Sequence, residues 1–229
     1  YWFVQFDFPD ENGKPYKSSG GTMAYNEDLK REIPAEWNVD VINNIIDVKD
    51  GTHDSPKPKS EGHPLITSKS LKVDGLDFSN ANLISVEDYV SINKRSKVDT
   101  GDILFSMIGS IGVIYKVDEI DINFAIKNVA LYKTSQSENY QDYIYMFLKS
   151  YDMQRYMGTV ISGSIQKFIG LGDLRNMPIF IDDKTIKNYK DATNHIFKKL
   201  KLIKLENQKL TELRDWLLPM LMNGQVTVD

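Results

Sequence analysis

The sequence contains no cysteine among its 229 residues. Disulfide bonds and thiolate metal ligands are therefore excluded, and the absence is typical of proteins that work in a reducing cytoplasm. Long apolar runs are also missing, since none approaches the roughly 20 residues that cross a membrane. The apolar start at Tyr1 and Trp2 lacks the positive charge of a signal peptide. We therefore expect a cytoplasmic chain without membrane contact, and the lack of an initiator methionine indicates that it begins inside a longer protein.

Signatures of catalytic and metal sites are absent as well. The three histidines show no paired metal-ligand spacing, and no Gly-x-Ser-x-Gly nucleophile motif occurs. Asp10, followed later by Asp47 and Lys49, superficially mimics the two acids and lysine of a metal-dependent nuclease. That pattern is short and common by chance. The sequence thus predicts no catalytic residue, no bound metal and no cofactor.

A strong excess of positive charge is missing too. The formal net charge of −4 argues mildly against nucleic acid as a partner. The charge is unevenly distributed, because residues 1–50 carry 5 basic and 10 acidic side chains, whereas residues 183–222 carry 9 and 5. Residues 51–182 are close to neutral, so a nucleic-acid site there must be a local basic patch.

Composition divides the chain into four segments. Residues 1–36, first aromatic and then rich in turn-forming residues, are predicted to be a poorly packed lead-in and linker. Residues 37–182 combine β-branched runs with helical patterns, which predicts one α/β (α+β) domain of mixed strands and short helices. Residues 183–222 are predicted to form one long helix, and residues 223–229 a tail.

Individual elements can be placed within the domain. Residues 85–88 resemble a capping box that starts a short helix. Apolar side chains at helical spacing over residues 140–151 predict an amphipathic helix. Residues 101–112 have the composition of a buried strand that turns sharply at its glycines. The predicted strands are 39–48, 64–68, 103–108, 113–117 and 122–132.

The long helix repeats an apolar residue at every seventh position. A seven-residue period makes a seam that packs along another helix. At a rise of 1.5 Å per residue the helix would be roughly 60 Å long, which is longer than a small domain is wide. We therefore expect part of it to project and to need a partner. The residues predicted for helix pairing and partner docking are Tyr189, Ile196, Ile203, Leu210, Leu217 and Trp216.

Polar loops of the domain hold the candidate nucleic-acid contacts. Lysine and arginine suit phosphates, whereas serine, histidine and glutamine can bond to base edges. The predicted phosphate contacts are Lys57, Lys59, Lys69, Arg95, Lys97 and Lys167. The predicted base contacts are His53, Ser68, Ser110 and Gln166. On composition alone, each of these groups could also be an ordinary solvated surface.

With these residues collected, the chain resembles the specificity subunit of type I restriction–modification systems. Residues 2–9, which begin Trp2-Phe3-Val4, are similar to the end of that family's central helical region, and Trp37 is similar to the start of its target-recognition domain. Further similar stretches are 51–56, 101–106 and 213–225. The order of these stretches carries the resemblance, which spans nearly the whole chain.

The resemblance implies a role and a set of partners. In that family, two recognition domains separated by two antiparallel helices each read half of a split DNA sequence, and the helices dock methyltransferase subunits. This chain is similar to the C-terminal half, with residues 37–182 as the recognition domain and 183–222 as a coiled-coil spacer helix. Double-stranded DNA, methyltransferase subunits and, through them, the restriction subunit are the implied partners. The chain itself is implied to be non-catalytic, and its helix could pair with a second copy.

Two other functions fit parts of the sequence. A coiled-coil interaction scaffold would dimerise without helper proteins and would not bind DNA, and the near-neutral domain favours this alternative. A metal-dependent nuclease would cut DNA by itself in the presence of magnesium, and Asp47→Asn would abolish that cutting.

Overall fold

A computed structural model describes residues 1–72, 75–164 and 167–225. Their contacts form two compact units, one from Tyr1–Lys190 and another from Asp191 onward. The first unit combines small sheets with short helices, and one long helix begins near its end. The predicted fold class, mixed strands and short helices followed by a long C-terminal helix, is confirmed.

The strands are short and fall into four sheets within the described residues. In chain order they are β1 (Met23–Asn26), β2 (Arg31–Pro34), β3 (Asn38–Val41), β4 (Val48–Asp50), β5 (His63–Ile66), β6 (Asn82–Ile84), β7 (Ile103–Ser106), β8 (Ile114–Lys116), β9 (Ala125–Ile126), β10 (Val129–Tyr132) and β11 (Pro178–Ile181). The helices are α1 (Ile42–Ile45), α2 (Val86–Ser96), α3 (Gln141–Leu148), α4 (Tyr151–Val160), α5 (Leu171–Arg175) and α6 (Asp183–Met222).

An antiparallel sheet in the order β4-β10-β7-β8 forms the centre of the first unit. Its inner strands, β7 and β10, are buried along their whole length. Successive side chains of a strand point to opposite faces. Accordingly, Ile103 and Phe105 belong to one hydrophobic core, whereas Leu104 belongs to a second. The sheet therefore separates two cores, which is why its inner strands are continuously apolar.

The sharp turn predicted for residues 101–112 is confirmed as a hairpin between β7 and β8. Gly109 and Gly112 have φ angles of 77° and 85°, which side chains with a Cβ rarely adopt. The turn brings the backbone N–H of Gly112 to the carbonyl of Ser106 at 3.0 Å. The tip of this hairpin, residues 109–112, lies at one end of the central sheet.

A second sheet in the order β6-β5-β9 includes one parallel pair, β5 with β9. The chain leaving β4 runs beside the end of β9, because the backbone N–H groups of Gly51 and Thr52 donate to Val129 and Ile126. A Cβ atom on Gly51 would lie only 2.2 Å from the carbonyl oxygen of Ile126. Glycine is required here because the two backbones touch.

The loose packing predicted for residues 1–36 is wrong for the aromatic residues near its start. Phe6 and Phe8 are buried, and the Phe8 ring stacks on Trp37 with centroids 5.1 Å apart. Trp37 in turn stacks on Phe180 of β11, at 5.4 Å. This packing is not evident from the sequence, because polar turn residues separate the aromatic side chains that pack into the core. A domain boundary between residues 36 and 37 stays a prediction.

The long helix α6 has the bounds predicted from sequence, Asp183–Met222. Its first turn is capped, since the backbone N–H of Thr185 donates to the Asp182 carboxylate at 2.8 Å, and Ile186 in this turn is buried in the first core. The helix contains Pro219, whose ring nitrogen cannot donate to the preceding turn. None of the helices in the described residues combines the length and the hydrophobicity of a membrane span. Residues 226–229 of the predicted tail lie outside the described residues.

Candidate nucleic-acid interface

The turn between β9 and β10 fixes two polar loops of the domain. The backbone N–H of Lys127 donates to the carbonyl of Ile66 at 2.8 Å, and its ammonium group donates to the Ser55 hydroxyl. Ile66 is the last residue of β5, and Ser55 lies in the loop after β4. Lys127 therefore bonds to both of the segments that leave these strands. The segments after β4 and β5, which carry several of the predicted contacts, are therefore anchored to the turn between β9 and β10.

Asn128, the next residue of the turn, makes a second set of bonds to the same loops. Its φ of 52° is left-handed, a conformation that asparagine tolerates better than most residues. Its backbone N–H donates to the carbonyl of Thr52 at 3.2 Å, and its carbonyl accepts from the Ser68 hydroxyl at 3.3 Å. Ser68, a predicted base contact, is thus held in a defined position.

His53 is engaged on both ring nitrogens. Nε2 lies 2.7 Å from a carboxylate oxygen of Asp50, and Nδ1 lies 2.7 Å from the side-chain oxygen of Asn128. Arg95 completes the group, because its guanidinium lies 3.2 Å from the other Asp50 oxygen and donates to the carbonyl of Gly51 at 2.7 Å. Imidazole has only two hydrogen-bonding atoms. His53 therefore has no nitrogen left for a base edge unless one of these bonds opens.

A groove of about 790 Å³ lies where the segment after β5 faces the β7–β8 hairpin. Half of the described residues that line it carry neutral hydrogen-bonding side chains, and these are Thr67, Ser68, Ser70, Asn80 and Ser110. Among the described residues, its charged side chains are Lys69, Lys72 and Asp77, and the Lys72 ammonium lies 3.9 Å from the Asp77 carboxylate. These residues give the groove donors and acceptors with one positive charge more than negative.

Ser110 reaches this groove from the tip of the hairpin. Its carbonyl accepts a hydrogen bond from the Ser106 hydroxyl, which also accepts from the backbone N–H of Val113 at 2.8 Å. Ser106 is fully buried, and its two hydrogen bonds stabilise the turn from the interior of the domain. The Ser110 side chain stays exposed.

Lys167 lies close to the same hairpin. The neighbouring residue, Phe168, forms an antiparallel bridge with Ile108 just beyond β7, and Lys167 itself is exposed. Gln166, predicted to contact a base, lies outside the described residues.

The remaining predicted cations lie elsewhere. Lys57 and Lys59 are exposed, and the backbone of Lys59 pairs with Leu83 along the outer edge of β6. Lys97 lines a separate cleft of about 330 Å³ and forms an ion pair with Asp99 at 3.0 Å. Burial tends to raise the pKa of Asp99, but hydrogen bonds from Lys133 and Lys97 outweigh it, so that the pKa lies below its usual value. The groove thus unites Ser68, Lys69 and Ser110 from the predicted set.

Several residues of the candidate interface were not predicted from the sequence. Lys72, Asp77 and Asn80 line the groove, and Asn128 organises the loops beside it. The turn-forming run Asp77-Phe78-Ser79-Asn80 was an available signal, because aspartate, serine and asparagine bond locally to turn backbones. Nothing local marks Asn128, whose partners are at least 60 residues away in the chain.

The predicted helix-pairing residues of the second unit are largely exposed. Ile203 and Leu210 remain 43% and 57% exposed, and Trp216 remains 59% exposed. Tyr189, in the part of α6 that belongs to the first unit, differs. It packs against Trp2 and Phe3, with ring centroids 5.6 and 5.1 Å away. The Tyr189 ring therefore packs against the N-terminal residues of the first unit.

No protein-family model matches the chain. The type I restriction enzyme MjaIX specificity subunit of Methanocaldococcus jannaschii is 24% identical over 244 aligned positions, covering 100% of this chain and 51% of that protein. The chain is a relative of the type I restriction enzyme specificity subunits. The EcoBI specificity subunit of Escherichia coli is 28% identical over 155 positions, covering 66% of this chain and 32% of its own length.

The resemblance stated from the residues is thus confirmed by sequence likeness to specificity subunits. The chain spans about half the length of the first of these relatives. Among solved structures, the type I S subunit from M. genitalium aligns with a TM-score of 0.45 at 16% identity, covering 80% of this chain and 46% of that chain. Within residues 1–72, 75–164 and 167–225, no group of three or more acidic or histidine side chains is arranged to hold a metal ion.

Proposed function

We propose that this specificity-subunit relative recognises a short sequence of double-stranded DNA. The observation that carries the proposal is the groove between the segment after β5 and the β7–β8 hairpin. Protein groups that read sequence must present donors and acceptors to base edges, and phosphate contacts need cations nearby. Among the described residues, the groove combines five neutral polar side chains with two lysines and one aspartate. The names of the relatives, which are specificity subunits of restriction enzymes, agree with this role.

The anchoring of the loops supports the same function. A recognition surface discriminates best when its contact groups are fixed before the ligand binds. Lys127 and Asn128 tie both loops to the sheets through four hydrogen bonds to Ser55, Ile66, Thr52 and Ser68. A merely solvated loop does not need such anchoring, so these bonds favour recognition over the alternative of a passive surface.

The roles of the predicted residues can be divided accordingly. Ser68 and Ser110 are proposed to face base edges, and Lys69 and the newly found Lys72 to contact phosphates at the groove. His53 and Arg95 are proposed to position the loop through Asp50. Further phosphate contacts are proposed for Lys57, Lys59, Lys97 and Lys167, and a base contact for Gln166.

DNA binding at the groove can be tested through its salt dependence. We expect Lys69→Ala with Lys72→Ala to weaken duplex binding for all sequences and to reduce the slope of log K against log salt by about 0.9 for each lost phosphate contact. Fluorescence anisotropy at several salt concentrations measures both quantities. Lys149→Ala, an exposed lysine just after the end of α3 and outside the groove lining, is the matched control.

Two results would show whether the phosphate contacts lie at the groove, at the edge of β6 or at neither. An unchanged slope in the double variant, with a reduced slope in Lys57→Ala with Lys59→Ala, would move the phosphate contacts to the edge of β6. Unchanged affinity and slope in both variants would overturn DNA binding by this face.

The helix α6 is proposed to dock protein. Its exposed apolar residues Ile196, Ile203 and Leu210 recur at seven-residue spacing, which suits packing along another helix. The proposed partners are methyltransferase subunits and, through them, the restriction subunit, with pairing to a second copy as an alternative use of the same seam. The chain itself is proposed to be non-catalytic, leaving methylation and cleavage to those subunits.

A further inference from the structure

The turn that leads into β6 contains a chain of three polar side chains beside the groove. The backbone N–H of Ser79 donates to a carboxylate oxygen of Asp77 at 3.0 Å, and the Ser79 hydroxyl donates to the same oxygen at 2.5 Å. The side-chain NH₂ of Asn80 donates to the Ser79 hydroxyl oxygen at 3.1 Å. Asp77 and Asn80 both line the groove, and Ser79 links them through its hydroxyl.

This chain determines which way the Asn80 amide faces. The bonds from Ser79 hold the pKa of Asp77 below its usual value, so the carboxylate is charged at neutral pH and accepts the hydroxyl proton. With its proton committed, the Ser79 oxygen can only accept, and it must therefore receive an N–H of Asn80 rather than face the amide oxygen. The usual ambiguity of an asparagine amide is removed by its neighbours.

The bond to Ser79 leaves part of the amide available. An asparagine side chain has two N–H donors and one acceptor oxygen. In the part of the chain that the structure describes, Asn80 makes this one side-chain hydrogen bond. One donor and the acceptor oxygen therefore remain, on an exposed residue at the wall of the groove.

We propose that Asn80 is a specificity-determining residue that reads an adenine in the groove, a proposal that rests on the proposed DNA-recognition function. Adenine presents an N6 donor beside an N7 acceptor in the major groove, which matches the amide's remaining oxygen and N–H. Guanine presents two acceptors there and would leave the Asn80 oxygen opposite an oxygen or nitrogen without a proton. Ser79 and Asp77 are positioning residues, because they orient the amide without meeting the base.

The test uses the full chain and a pool of duplexes randomised over the bound site. Sequencing the bound fraction should show an adenine preference at one position, and Asn80→Ala should reduce that preference by about 5- to 150-fold while preferences at other positions persist. The nearly isosteric Asn80→Asp, which only accepts, should shift the same position toward cytosine, whose N4 group donates. Ser79→Ala should weaken the preference without abolishing it.

Asn82→Ala is the matched control, since Asn82 is also exposed but lies on β6 outside the groove lining. Thermal melting of each variant confirms that the fold is kept. A uniform loss of affinity across sequences in Asn80→Ala, or no change, would overturn base reading by Asn80 while leaving DNA recognition intact. If the unmodified chain enriches no sequence at all, the DNA-recognition function fails and the role of Asn80 falls with it.

Discussion

At the scale of single residues, Lys133 illustrates how this domain keeps a charge in its interior. The side chain is only 4% exposed, and its ammonium group is bonded to the fully buried carboxylate of Asp102 and, at 2.7 Å, to Asp99. The second oxygen of Asp102 accepts from the backbone N–H of Ser135 at 3.1 Å. A buried ion pair of this kind is poor evidence of net stabilisation, but removing one partner leaves the other uncompensated.

We therefore expect Lys133→Met to lower the free energy of unfolding by about 3–5 kcal/mol. Lys97→Met also removes a cation next to Asp99, but the Lys97 side chain is 72% exposed, so its loss should cost less than about 1 kcal/mol. Urea denaturation followed by circular dichroism measures both. Similar values for the two variants would contradict the burial argument.

Gly51 makes a second prediction at this scale. Gly51→Ala would drive a Cβ into the carbonyl of Ile126, and overpacking of this kind costs about 1–3 kcal/mol. Gly158→Ala is the control, because that glycine lies exposed in α4 with no atom near its added Cβ, and should gain about 0.5–1 kcal/mol. Opposite signs in thermal denaturation are expected. A neutral Gly51→Ala would show that the loop after β4 can move.

The residue scale is also where the sequence predicts least about the site. Ser68, Lys69 and Ser110 were selected by residue type and do meet at one groove. His53 was selected in the same way, yet its nitrogens are occupied by Asp50 and Asn128. Residue type reveals what a side chain can bond to, but its partners are fixed by contacts between distant segments.

At the scale of elements, local rules predict those features whose causes are local. The serine cap expected at 85–88 is present, since the backbone N–H of Asp88 donates to the Ser85 hydroxyl at 3.1 Å. The helix predicted over residues 140–151 is confirmed as α3 but ends at Leu148. Tyr151 instead starts α4, whose first turn is capped because the backbone N–H of Met153 donates to the Ser150 hydroxyl at 3.3 Å. Periodicity continued across this break, so apolar spacing alone could not reveal it.

The predicted strand 39–48 is interrupted for a similar reason. The Asn44 side chain donates to Asp40 at 2.8 Å, and the Asn43 side chain accepts from the backbone of Val48 at 3.2 Å. Such local bonds give the backbone an alternative to strand pairing. The chain therefore forms the short helix α1 between β3 and β4.

Loss of the serine cap should destabilise α2. We expect Ser85→Ala to reduce the free energy of unfolding by about 1 kcal/mol, because an N-terminal amide loses its acceptor. Ser91→Ala, at an exposed position inside the same helix, should be neutral or slightly stabilising. Chemical denaturation compares the two. An equal effect of both substitutions would mean that the Ser85 bond contributes nothing.

At the scale of the whole molecule, the proposed spacer role of α6 makes its length a functional quantity. Seven residues added between Ile203 and Leu210, in a full subunit containing this chain, should preserve the apolar period and add about 10 Å. At about 3.4 Å per base pair, the two half-sites should move roughly three base pairs apart, while the half-site read by this domain stays the same. Mapping methylated sites by sequencing measures the spacing.

The same seven residues placed after Gly224, beyond the end of α6, serve as the control and should leave the spacing unchanged. Unaltered spacing after the internal insertion would contradict the spacer role. A changed half-site would instead mean that the helix affects recognition.

The contact of Trp2 and Phe3 with Tyr189 has a consequence for how such domains can be exchanged. The two ends of the unit Tyr1–Lys190 lie side by side, joined by aromatic packing. A unit whose ends meet can be cut out of one gene and spliced into another without stretching the neighbouring chain. We therefore expect that exchanging the segment between Trp2 and Tyr189 would carry over the candidate groove together with the aromatic contacts that join the ends of this segment.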